Sequence, residues 1–469
     1  MSELGKKFSV SFLAVFLMST TLGIAMSAPI TLAEEKNLTP SEVADLTKYS
    51  IVKIVHKIKG KATIPFIDVD LKNLSYSIRT DIPPKSIDVD EESFGSGVIV
   101  SPDGYILTNT HVVSPKYLKQ FVAEEHASYA LLDSIKKSGG FDKIIDDVVA
   151  AQVNNKSSNA TGGNNVALGY QIQQYILDNS NFDIDNQVIV LNPYSKGNSL
   201  DELASKGFVA KEVAVNNDLD FNPRDIALIK IDQQDLPSIE LGSSKDVTIG
   251  NKIFMFGYPG NAELSAMADL EPSFTQGTIS ATKPLGYEGF KVFQIDAKGS
   301  EGSSGGPLIN EQGKIIGLTT WGTPDANKSG GDFFLYAIPA DTIKEFLDNS
   351  KMGGEMRSFD IGGYGKHFLA GIDYLHNNQC KDAIDEFDLA KGGNTNFVIS
   401  SNLDPYIKQC NDIIKSGKSV TPNKVAKATS GDIWWPILII VVAIIAIAAA
   451  SYWFIRMRRN EDNNGTEDL

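Results

Sequence analysis

Seven residues, Gly302-Ser303-Ser304-Gly305-Gly306-Pro307-Leu308, constrain this chain more than any other stretch. Glycines at the first, fourth and fifth positions let the backbone turn sharply and approach neighbouring chain closely, conformations that a Cβ forbids. A serine framed in this way has its Oγ turned outward, and its amide converges with that of Gly302 on one point. The frame suits a nucleophile with two amide donors beside it. A flexible Gly/Ser loop has the same composition, so the frame gains meaning only from its company.

That company lies upstream. Gly95 to Val113 reads as a strand, a turn at Ser101-Pro102-Asp103-Gly104, a second strand, and then His111. Asp225 stands at the entrance of the apolar, β-rich run Ile226-Ala227-Leu228-Ile229-Lys230-Ile231. Histidine, aspartate and serine in this chain order are the arrangement of chymotrypsin-fold enzymes, distinct from the orders of the subtilisin and α/β-hydrolase folds.

Through these three segments the chain resembles the HtrA/Deg branch of the trypsin-like serine peptidases, roughly from Val52 to Leu347. Ile295-Asp296-Ala297, Lys314 to Leu318 and Tyr336-Ala337-Ile338-Pro339 agree with it. The resemblance implies a mainly β domain at 49–350, a chymotrypsin-like double β-barrel with His111, Asp225 and Ser304 between two six-stranded barrels. It also implies the mechanism: Ser304 attacks a peptide carbonyl, His111 takes its proton, and Asp225 orients the ring. The oxyanion would rest on the backbone amides of Gly302 and Ser304, with no cofactor and no metal. Ser303 is a rival nucleophile by chemistry, but the G-x-S-G-G frame counts to Ser304. Lys298-Gly299-Ser300-Glu301 places charges where the specificity pocket is shaped, and there the pattern stops predicting what is cut.

Two regions depart from that pattern. A helical insertion is expected at about 114–185, with Leu118, Phe121, Val122, Tyr129 and Leu132 at helical spacing, then an Asn/Gly/Ser-rich loop, a second helix near 171–177, and a strand at Gln187–Leu191. It is either a surface embellishment or a lid or docking element beside His111. A helical module is expected at 358–415, where Gly371, Tyr374, Ala383, Phe387 and Ala390 fit the spacing of one tetratricopeptide-like hairpin, extended by a helix over Asp404 to Lys415. Its role is a spacer, a dimer contact or a peptide-binding surface. Cys380 and Cys410, the only cysteines, both fall in it and are a disulfide candidate.

The ends bear on location. Lys6-Lys7 followed by the apolar run Val10 to Met26 predicts a signal peptide over 1–33, cut after Ser27 or Ala33; an uncleaved anchor is the other reading. A short amphipathic lead (34–48) follows, with Tyr49 to Ile58 as the first strand. Residues 433–455 carry no charge and are long enough to cross a bilayer. Trp434, Trp435, Tyr452 and Trp453 frame them, and Arg456, Arg458 and Arg459 follow. By the positive-inside rule the tail at 456–469 is cytoplasmic, the stalk at 416–432 and everything before it extracytoplasmic, and the protein single-pass in the cell membrane. The excess of 58 acidic over 43 basic residues, a net charge of −15, argues against nucleic acid as a partner. The expected function is a membrane-tethered serine endopeptidase acting on protein or peptide substrates, exported or misfolded, possible as a homo-oligomer. The alternative is a chaperone-like or protein-binding module that uses the protease fold without turnover.

Overall fold

The computed structural model describes residues 37–137, 161–193, 197–216, 225–260, 270–285, 290–324, 333–350, 361–392, 397–420 and a helical stretch within 443–456, apart from single positions in these ranges. Most of its strands close into two barrels. In the first, Ile51–Ile64 (β1), Lys85–Ile99 (β4), Tyr105–Thr108 (β5), Ala227–Lys230 (β8), Phe208–Val215 (β7) and Asn181–Leu191 (β6) follow one another around the wall. In the second the order is Ser273–Leu285 (β10), Phe290–Ile295 (β11), Phe333–Pro339 (β14), Ile315–Pro324 (β13), Pro307–Ile309 (β12) and Lys252–Gly257 (β9). This is the mainly β, double-barrel architecture that the resemblance implies.

β1 shows why the first barrel carries an appendage. Its first six residues are all buried, because one face lies in the barrel and the other is covered. Beyond Lys57 the strand runs on out of the barrel, still paired with β4 and β6 as far as Thr63. A short hairpin, Ile67–Asp70 with Ser75–Ile78, tips this extension. Two insertion helices, Pro115–Lys137 and Thr161–Asn179, lie across it and bury Leu118, Val122, Ala127, Leu168, Ile172 and Ile176 against Ile58, Ile64 and Val89.

The insertion differs from its expected form in two respects. β6 begins at Asn181, not at Gln187, because the extended β1 offers it partners from Thr63 onward. The buried stripe of the first helix runs through Leu118, Val122, Ala123 and Ala127, while Phe121, Tyr129 and Leu132 are exposed. The loop between the helices, 138–160, lies outside the described residues.

The lead is a structural wedge. Thr39 caps the helix Pro40–Thr47 reciprocally with Glu42, a capping box that satisfies two free donors. Val43 and Leu46 are buried, and the Leu38 amide donates to Glu311 O at 2.8 Å in the second barrel. A single 3₁₀ turn, Lys48–Ser50, precedes β1, so the first strand starts at Ile51.

Three helices, Gly363–His376, Cys380–Lys391 and Asp404–Lys415, follow the second barrel. A Cβ on Gly371 would come within 2.7 Å of the Phe387 ring, so only glycine lets the first two helices approach this closely. The module is docked on the lead. Tyr364 packs edge-on against Tyr49 with ring centroids 5.2 Å apart, and its hydroxyl donates to Asp45 O at 2.6 Å. His376 Nε2 meets Glu42 Oε1 at 2.7 Å, and Tyr406 Oη donates to Asp45 Oδ2 at 2.6 Å. The beginning of the stalk is held as well, for the Val420 amide donates to Asn378 O at 2.9 Å.

Cys380 and Cys410 are buried free thiols in this structure. Burial first, and then the neighbouring Cys380, pushes the Cys410 thiol up to about 12. The expected signal peptide at 1–33 and much of 433–455 lie outside the described residues; among the described residues no helix is long and apolar enough to cross a membrane.

Candidate active site

His111 sits in a one-turn helix, Thr110–Val113, at the end of β5. Side chains on either side fix that turn to the strand bearing Asp225: Asn109 Nδ2 donates to Asp225 O at 2.7 Å and Thr110 Oγ1 to Ile226 O at 2.9 Å. The His111 amide donates to Asp225 Oδ1 at 3.1 Å, and His111 Nδ1 donates to Asp225 Oδ2 at 2.6 Å. This second bond leaves Nε2 as the nitrogen able to accept a proton.

Asp225 is held by a further group that no sequence pattern announced. Thr320, on β13 of the second barrel, donates from Oγ1 to Asp225 Oδ2 at 2.7 Å. Burial by itself would raise the Asp225 carboxyl, but the facing His111 charge and the hydrogen bonds from His111 and Thr320 outweigh it and hold the carboxyl below its ordinary value. An ionised Asp225 would stabilise an imidazolium formed at His111.

Ser304 lies in the turn between β11 and β12. Its hydroxyl donates to Thr320 O at 2.5 Å, and no hydrogen bond joins it to His111 in this conformation. Attack by Ser304 would require release of that bond and a turn of the side chain toward Nε2. Ser303 is 1% exposed, and its Oγ accepts from the Ser300 amide at 3.2 Å, bracing the loop before Gly302.

The oxyanion site is built by pinning carbonyls. In a trans peptide the C=O and the following N–H point in opposite directions. Glu301 O accepts from the Gly260 amide at 2.8 Å, which turns the Gly302 N–H away from Gly260, and Ser303 O accepts from the Gly306 amide at 3.0 Å, which turns the Ser304 N–H the other way. Neither N–H has a backbone acceptor among the described residues. Both stand ready for an oxyanion, where each donor contributes about 2.7–4 kcal/mol in comparable enzymes.

The glycines of the frame are explained by contact as well as by torsion. Gly302 and Gly305 have φ of +92° and +84°. A Cβ would lie 2.3 Å from Tyr258 O at Gly302, 2.1 Å from Ser96 O at Gly305 and 2.0 Å from Phe256 O at Gly306. Ser96, fully buried in the first barrel, ties the two barrels together here. Its amide donates to Ser304 O at 2.8 Å, its Oγ donates to Gly302 O at 2.6 Å, and the same Oγ accepts from the Tyr258 amide at 2.9 Å. Sequence reasoning missed Ser96 and Thr320, since a lone hydroxyl inside a strand carries no periodic or motif signal.

With this geometry in view, the comparisons with known proteins are consistent. A model of the trypsin-like peptidase domain matches residues 177–318, a span that includes Asp225 and Ser304. A probable periplasmic serine endoprotease DegP-like of Pseudomonas fulva is 23% identical over 75% of this chain and 55% of its own length. The protein of that name from Pseudomonas fluorescens is 34% identical over 29% of this chain and 27% of its own, and human serine protease HTRA4 is 33% identical over 29% and 27%. Among solved structures, the HtrA-type protease AlgW with decapeptide overlaps 68% of this chain and 69% of that one, at 18% identity and a TM-score of 0.35. The chain thus spans about a quarter to half the length of these curated relatives. Over residues 177–318 the chain is thus similar to a trypsin-like peptidase domain, and the two closed barrels accord with that match. Its similarity runs to the HtrA/DegP type of that class.

Proposed function

We propose that this protein is an HtrA/DegP-type serine endopeptidase, tethered to the cell membrane with its barrels outside, that cleaves exported or misfolded proteins through an acyl-enzyme on Ser304. The observation that carries the chemistry is the continuous chain Thr320–Asp225–His111 beside a serine flanked by two unengaged amides. His111 accepts the Ser304 proton on attack and returns it to the leaving amine; water then repeats the sequence to release the acyl group. The location rests on the signal-like segment over 1–33 and the framed apolar run over 433–455. The tetratricopeptide-like spacing of the helical module supports a protein-contact role, here or in a homo-oligomer. The bond from Ser304 to Thr320 O favours the second reading, a chaperone-like module that binds without turnover.

Proteolytic shaving of intact cells, followed by cleavage assays on the solubilised full chain with an unfolded protein substrate, tests both parts. The expected result is a released fragment that ends within 416–432 and lacks 433–469, with cleavage abolished in Ser304→Ala. Binding of the unfolded protein with no cleavage by the wild type supports the chaperone-like reading. Cys380 and Cys410 are unbridged in this structure but close enough to interact, and the proposal extends to a disulfide between them on oxidation, which would close a loop of about 30 residues and stabilise the module by about 3–4 kcal/mol. Mass spectrometry of unreduced protein should find the linked peptides, and two free thiols would refute the bridge.

A further inference from the structure

The first insertion helix begins four residues after His111, and its opening turn is anchored to the catalytic histidine's own turn. The Ser114 amide donates to Thr110 O at 2.8 Å and the Tyr117 amide to Ser114 O at 3.0 Å. This places the Tyr117 ring on the His111 imidazole, with centroids 5.4 Å apart and planes at 51°. Phe121, one helical turn on, meets Tyr117 edge to face at 5.2 Å and is 48% exposed. Two aromatic rings therefore extend outward from His111, and the outer one is exposed with no part in the insertion's core.

The position of this wall relative to the reaction follows from the chemistry. The scissile carbonyl carbon must sit on Ser304 with its oxygen at the Gly302 and Ser304 amides, and the leaving nitrogen must sit where His111 can return a proton to it. A ring packed on His111 therefore lies next to the group that would return the proton to the leaving nitrogen. Burial raises the Tyr117 hydroxyl, and Asp225 and Glu301 add to the rise. Tyr117 is therefore within electrostatic reach both of the triad and of the residue that precedes the oxyanion donor Gly302.

We infer that Tyr117 and Phe121 form an aromatic subsite for the substrate residue that follows the scissile bond, selecting a large apolar or aromatic side chain there. The inference rests on the peptidase reading above and goes beyond it by assigning the insertion a specificity-determining surface. Offset or edge-to-face aromatic contacts stabilise by an amount equivalent to about a 3- to 10-fold change in a rate ratio.

The test is a peptide library in which only the residue after the scissile bond varies, cleaved by the full chain and by Tyr117→Ala, Tyr117→Phe, Phe121→Ala and Tyr129→Ala. Tyr117→Ala should lower kcat/KM for Phe or Leu relative to Ala or Gly at that position by about 3- to 10-fold, while Tyr117→Phe keeps the wild-type ratio. Phe121→Ala should shift the ratio in the same direction by less. Tyr129, on the same helix but 59% exposed and packed on His126, serves as the control and should leave it unchanged. A Tyr117→Ala profile that superimposes on wild type overturns the subsite while leaving the peptidase intact. Wild-type protein that neither cleaves nor labels on Ser304 with a fluorophosphonate overturns both.

Discussion

Ser96 Oγ donates to Gly302 O at 2.6 Å, so a buried hydroxyl of the first barrel holds the carbonyl of an oxyanion-hole residue that belongs to the second. The same oxygen accepts from Tyr258, and the Ser96 amide holds Ser304 O. The active site is thus aligned across the barrel interface by Ser96 as well as by Thr320.

Replacing Ser96 by alanine removes the tie and leaves Gly302 O and the Tyr258 amide without it. The expected stability loss is about 1–3 kcal/mol. Because the displaced group acts on the tetrahedral intermediate, kcat should fall by about 10-fold or more with KM changed little. Affinity for a peptide boronate should fall in parallel. A rise in KM alone, with kcat unchanged, would assign Ser96 a purely structural role.

The Asp225 carboxyl is held below 3.8, so its contribution to stability is fully present above that value and is lost as pH falls through the depressed one. Thr320→Val deletes one of the bonds that hold it down. Acid unfolding of that variant should begin at higher pH than in wild type, followed by tryptophan fluorescence. Coincident acid transitions would count against Thr320 as a support of the ionised carboxylate.

Buried His56, joined through Nε2 to Asn186 Oδ1 at 2.7 Å, behaves in the same sense from a different starting point. Burial lowers it below 6.5, and the bond to Asn186 offsets only part of this. Protons therefore bind the unfolded chain first, and stability is present above pH 6.5 and declines as pH drops through the depressed value. Between pH 7.5 and 5 the wild-type melting temperature should fall more than that of His56→Gln, which cannot titrate. Equal slopes would contradict the prediction.

Gly371→Val drives a side chain into the Phe387 ring, and overpacking of this kind costs about 1–3 kcal/mol. The docked face, from Tyr364 to Glu42 and Asp45 of the lead, should loosen with it. Hydrogen exchange should accelerate in Gly363–His376 and in Pro40–Thr47 together. Acceleration confined to the module would show that the docking contacts survive.

The parts of this molecule that were legible in the sequence are those whose chemistry requires a local pattern. The loop at Gly302–Gly306 needs glycine for positive φ and for contacts near 2 Å, and the turn before β5 needs Pro102 and Gly104, so both announce themselves. Ser96 and Thr320 act through single hydroxyls across a distance that exists only after folding. The early start of β6 was readable in principle: Asn181-Phe182-Asp183-Ile184-Asp185 alternates polar and apolar residues with the period of a half-buried strand. The insertion's core stripe was obscured because alanines 123 and 127 carry it, whereas the larger Phe121, Tyr129 and Leu132 face outward.

The assignment of Ser304 as nucleophile is tested most directly by reacting the full chain with a fluorophosphonate and mapping the modified residue by mass spectrometry. A single adduct on Ser304, lost in Ser304→Ala and strongly slowed in His111→Ala, is the expected result. An adduct on Ser303, or labelling that persists at the same rate without His111, would contradict it.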